Sequence, residues 1–105
     1  MKLALIFILL IPSFAFAGWT STSGKVTKIY SHDGLILIDT DITDGACDIH
    51  GGFYWSTSDP DSQIMLSLAL TSFSMGKKVV VVSDMTTPRC VTDRALMTHL
   101  ALTSD

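Results

Sequence analysis

The segment from Ser58 to Ser83 restricts the fold more than any other part of the chain. Ser58-Asp59-Pro60-Asp61 reads as a turn with a helix cap. Asp59 can accept from first-turn amides, and Pro60 suits the first helical position, where an N–H would be unpaired anyway. An apolar helix is then predicted from Ser62 to Met75. Gly76 supplies the left-handed residue that closes a helix. Two lysines follow, then the β-branched run Val79-Val80-Val81-Val82, predicted as a strand over Lys77 to Asp84. One helix thus delivers the chain into one strand of high burial.

The helix carries no charge between Asp61 and Lys77. Leu66, Ala69, Leu70 and Phe73 follow the spacing of one buried face, and Ile64, Met65, Leu68 and Met75 widen it. Gln63, Ser67, Thr71 and Ser74 form a narrow polar line. A solvent-facing helix of a soluble monomer normally carries charges, and a chain this short has little material with which to cover a helix all round. The expectation is therefore a homo-oligomer, with these four residues as its candidate interface. The alternative is a helix sunk in the monomer core.

The first 17 residues read as a secretory leader. Lys2 gives the positive end, Leu3 to Ile11 the apolar stretch, and Ala15-Phe16-Ala17 the small-x-small cleavage site. The apolar stretch is too short to span a bilayer. Processing would leave a single domain over residues 18–105 with no membrane span, in the periplasm or secreted. Cys47 and Cys90 are the two cysteines of the chain, and in an exported protein such a pair is most simply one disulfide. It would close a loop of about 44 residues, for which chain entropy gives roughly 4 kcal/mol.

Beyond Lys2 there are six basic residues, Lys25, Lys28, Lys77, Lys78, Arg89 and Arg94, against ten aspartates. They form no stripe that could follow a phosphate backbone, so nucleic acid is not an expected partner. Every acid is Asp, a residue of turns and caps rather than of helix interiors, and Asn is absent too. That usage suits a β-rich fold with tight connections.

In chain order, the Ser/Thr residues 21–23 after Gly18-Trp19-Thr20 read as a short flexible lead-in and Gly24 to Ser31 as strand one, with a slip of alternation between Val26 and Ile29 that suggests a bulge. His32-Asp33-Gly34 is a hairpin signal, and Leu35 to Asp39 is a second strand, apolar on both faces. The polar connection from Thr40 to Asp48 brings Asp39, Asp41 and Asp44 together as weak metal candidates, although Gly45 and His50 fall out of step with an EF-hand. The plainer reading is a solvated turn in which each Asp bonds its own backbone. Ile49 to Ser56 is strand three, where Gly51-Gly52 marks a bulge or a close backbone approach. Alternation sends Phe53 and Trp55 to one side and Tyr54 to the other. Tyr54 and Trp55 are candidate ligand-stacking residues, with core or interface packing as the competing role. The last element, from Asp93 to Thr103, reads as a strand with Leu96, Leu100 and Leu102 on one face, and a short helix is the alternative.

Strand, strand, strand, helix, strand, strand is the element order of an OB-fold. The predicted fold is mainly β (α+β), a five-stranded Greek-key barrel with one helix between strands three and four; a five-stranded α+β sandwich competes with it. The leader, the small disulfide-bonded domain, the GKVTKIY opening and the stretch Asp61 to Val82 (DSQIMLSLALTSFSMGKKVVVV) resemble the pentameric binding subunits of bacterial A–B toxins. The resemblance implies helices lining the centre of a ring and barrels that bind host glycans. It carries over no residue-specific site.

No nucleophile elbow, zincin or phosphate-loop motif is present, and nothing in the sequence calls for a cofactor. Asp48 and His50 could share a strand face as an oriented base or half a metal site, but a third partner is not identifiable. The expectation is a non-enzymatic exported binding module, for a glycan or a receptor. The alternative is an envelope structural or inhibitory protein that docks a partner through its apolar helix.

Overall fold

A computed structural model describes residues 19–104; the leader reading lies outside the described residues. The order is β1 (Trp19–His32), β2 (Leu35–Thr40), β3 (Gly52–Ser56), α1 (Ser62–Met75), β4 (Lys78–Asp84), β5 (Cys90–Val91) and β6 (Arg94–Leu102). The sheet order is β3-β2-β1-β4-β6-β5, and β3 also pairs with β6, so the sheet closes on itself. The closing β3–β6 pair is parallel and the other pairings are antiparallel. This is the OB-like barrel expected from the element order. The two-residue β5 is an addition to the five strands.

The strand β1 makes the closure possible. Residues 19–25 pair with β4 and residues 26–32 with β2, with a register break between Val26 and Lys28. The bulge lies where the alternation slips. The polar lead-in, in contrast, is no flexible tail. It is the first half of a 14-residue strand, zipped against the valine run. Ser and Thr tolerate the extended backbone, and the partner strand supplies the apolar surface. Asp33 and Gly34 both have positive φ, as a two-residue hairpin with right-handed strand twist requires.

Phe53 and Trp55 are fully buried, in one core with Ile38, Val79, Val81 and Met97. Met65 and Ala69 join this core from α1. The helix has the predicted limits, and Gly76 closes it in the left-handed conformation with its N–H donating to Ser72 C=O. Its capping differs: the cap is Asp61, without a side-chain cap bond, and Asp59 Oδ1 instead accepts the Asp61 N–H at 2.8 Å.

The buried face of α1 also differs. Ser62, Met65, Ala69 and Ser72 face inward, whereas Leu70 and Phe73 are 47% and 54% exposed. Relative to the apolar wheel the helix is turned by roughly 70°, counting about 100° per residue. Two buried donors explain the rotation. Trp55 Nε1 donates to Ser62 Oγ at 3.0 Å, and Val26 N–H, freed by the bulge, donates to Ser72 Oγ at 3.2 Å. Ser72 Oγ–H in turn donates to Lys77 C=O at 2.6 Å. A buried amide or indole left without an acceptor costs more than an exposed leucine does.

The cysteines form one disulfide, with Cα atoms 5.9 Å apart, tying the β2–β3 connection to β5. Cys47 is buried and Cys90 exposed.

Candidate functional site

The outer face of β1–β2–β3–β6 carries Tyr30, Leu37, Tyr54 and Leu96 in register. One rung away lie Lys28, Asp39 and Gly52. Arg94 spans that rung: its Nε and one terminal nitrogen donate to the two Asp39 oxygens at 2.7 and 3.1 Å. The other terminal nitrogen donates to Thr92 C=O at 3.0 Å. The guanidinium also lies 5.2 Å from the Tyr30 ring centre, with Lys28 Nζ at 4.9 Å. Bonding to the Asp39 carboxylate, together with its charge, raises the Arg94 pKa against the opposing cost of burial. Gly52 is what lets the side chain pass, because a Cβ there would overlap Arg94 Cγ.

These contacts decide the aromatic candidates. Trp55 is wholly buried, with its N–H bonded to Ser62, so its ring has no face free for stacking; strand alternation turned it into the core. Tyr54 is only 5% exposed, on the opposite face of the sheet. Burial raises its pKa, and the nearby Arg89 charge partly offsets that. The aromatic offering most surface on this side is the half-buried Tyr30, which the sequence reading did not single out. Its signal was the i, i+2 spacing of Lys28 and Tyr30 on one strand face.

The aspartate candidates are dispersed. Asp39 is held by Arg94, and Asp41 Oδ1 accepts the Lys25 N–H at 2.7 Å. Asp44 is exposed. Among the described residues no three His, Cys or Asp side chains gather closely enough to hold a metal ion. His50 Nδ1 lies 2.8 Å from Gly45 C=O within the same loop, His32 pairs with Asp33 in the hairpin, and His99 contacts Thr98 on β6.

On α1, Gln63, Ser67 and Ser74 are exposed and Thr71 half-buried. Thr71 and Ser74 hydroxyls donate back to Ser67 and Leu70 carbonyls. On the helical wheel, Ile64 and Met75 flank this line on one side and Leu70 and Phe73 on the other. All four are between 47% and 64% exposed. Beside Ile64 runs an apolar groove of about 360 Å³, walled by Met65 and Leu68 of α1 and by Val80, Val82 and Leu100. A second cleft, about 470 Å³ and mostly polar, lies between the start of β1 and residues 41–44.

The fold therefore defines a small closed β-barrel with one helix among the described residues, carrying an apolar groove beside that uncharged helix and a polar cleft that borders it at Val80. Comparison with protein families, with curated proteins and with solved structures finds no match.

Proposed function

We propose that the protein is an exported, disulfide-bonded binding module that assembles with further copies of itself through α1 and recognises a glycan or a receptor protein with the rest of the barrel. One observation carries the assembly: Ile64, Leu70, Phe73 and Met75 are exposed together on a helix that has no charge. Apolar side chains grouped this way mark interaction surfaces. The disulfide and the leader-like N-terminus favour an oxidising compartment.

A second reading, docking of a different protein by the same surface, draws on the groove beside Ile64, whose shape would receive an apolar segment. Light scattering on the eluting protein separates the two. The expected result is a mass of several chains, reduced to one by Ile64→Asp with Phe73→Asp. A native protein that elutes as one chain would overturn self-assembly and leave the partner reading.

A further inference from the structure

The polar cleft is the unfinished edge of a sheet. Lys25 N–H donates to Asp41 Oδ1 and Lys25 C=O accepts the Asp41 N–H at 3.1 Å. The Lys25 main chain therefore points toward β2 and its following loop. In an antiparallel strand, alternate residues direct N–H and C=O to the same edge. Ser23 and Ser21 consequently aim theirs the same way, while the other edge of this segment is bonded to β4. On the Ser21–Ser23 side β2 has ended at Thr40, and among the described residues no strand pairs with that edge. The open space there is the cleft of about 470 Å³, walled by Asp41, Thr43 and Asp44 with Ile42 and Val80 as its apolar part.

We propose that this edge receives an extended peptide segment bearing lysine or arginine, which adds to the sheet as a further strand beside Ser21–Ser23. Main-chain bonds to Ser21 and Ser23 would supply register, as strand addition does elsewhere. Charge selects the occupant. Two carboxylates line the cleft and no Lys or Arg does, so a basic side chain two residues along the peptide meets Asp41 or Asp44. A second copy of this chain is the less suitable occupant, because its formal net charge of −3 has the same sign as the cleft. The inference rests on the binding-module reading but not on the α1 assembly.

The test is an amide-resolved NMR titration of the isotope-labelled protein, purified as the producing cell exports it. The probe is acetylated, amidated Thr-Lys-Val-Lys-Thr at up to millimolar concentration. The expected result is shifts at Ser21, Ser23 and residues 41–44, with slowed exchange of the two serine amides. Glutamate in place of each lysine should weaken binding about fivefold per charge, as should Asp44→Asn, these being exposed pairs. Methylation of the peptide's alternate backbone nitrogens should abolish it. The variant Ile64→Asp/Phe73→Asp should bind as the native protein does, which keeps a failure of assembly distinct from a failure of this site. Silence at the cleft amides would overturn the proposal, as would equal binding of the glutamate or methylated peptide. Serine amides already protected without peptide would overturn it too, since the edge would then be occupied by this chain or by a copy.

Discussion

Arg94 reaches Asp39 across the top of Gly52, joining β6 to β2 over the strand that separates them. The pair is mostly shielded: the Arg94 side chain is 9% exposed and that of Asp39 22%. Truncating either partner of such a pair leaves the other as a lone charge in a dry place.

Arg94→Ala is expected to destabilise the barrel by about 2–3 kcal/mol, given the residual exposure of Asp39. Gly52→Ala should also be costly, because the new methyl group displaces the arginine. Chemical denaturation of both single variants and the double variant checks the mechanism. The two losses should combine to clearly less than their sum, since each removes the same crossing. Additive losses would break the link between them.

Ser72→Ala removes at one stroke the acceptor of Val26 N–H and the donor to Lys77 C=O. A loss of about 1–3 kcal/mol is expected from stranding one buried and one part-buried main-chain group. Ser74→Ala is the control, since its hydroxyl is exposed and only bonds back along the helix; its effect should stay within about 0.5 kcal/mol. Equal effects of the two in thermal denaturation would contradict the role given to Ser72.

Reducing the Cys47–Cys90 bridge, whose ends are 43 residues apart in sequence, should lower stability by roughly 4 kcal/mol. Urea unfolding with and without reductant measures this. A midpoint that does not move would mean that the reduced unfolded chain is already compact in this region.

Tyr54 titrates above 10.0, the usual tyrosine value, because burial disfavours its phenolate. The unfolded chain therefore gives up this proton first. The Tyr54 contribution to stability is complete below pH 10 and is lost as pH rises toward the folded pKa. Tyr54→Phe should unfold less steeply with alkali than the native protein, as followed by circular dichroism. An unchanged alkaline limb would assign that loss of stability to other groups.

Most of the fold was legible because its signals are local. Asp33-Gly34 fixes a hairpin, Gly76 ends a helix, and the four valines announce a strand wherever they occur. What the sequence hid was set by partners far along the chain. The Ser/Thr-rich start of β1 has no apolar stripe of its own, and becomes a strand because Val79 to Val82 lie beside it. The rotation of α1 cannot be read from a wheel, since Ser62 and Ser72 look like surface residues until the Trp55 indole and the bulge at Val26 need acceptors. On α1, helical spacing was enough to group Gln63, Ser67, Thr71 and Ser74 into one line, of which all but Thr71 are exposed. Trp55 was not placeable, because alternation gives two sides without saying which is core. Asp39 read as the polar end of strand two and a weak metal candidate, and its partner Arg94 stands 55 positions away. Gly52 gave the one hint of that crossing, as a place where another part of the chain comes close.

Because β1 serves both sides of the barrel, bonded to β4 by its first half and to β2 by its second, neither side can peel away alone. Detaching residues 19–25 strips β4 of a neighbour, and residues 26–32 continue the same strand into β2 and the hairpin. The molecule should therefore come apart as one cooperative unit rather than by halves. Trimming even a few residues beyond the start of β1 would loosen every layer at once.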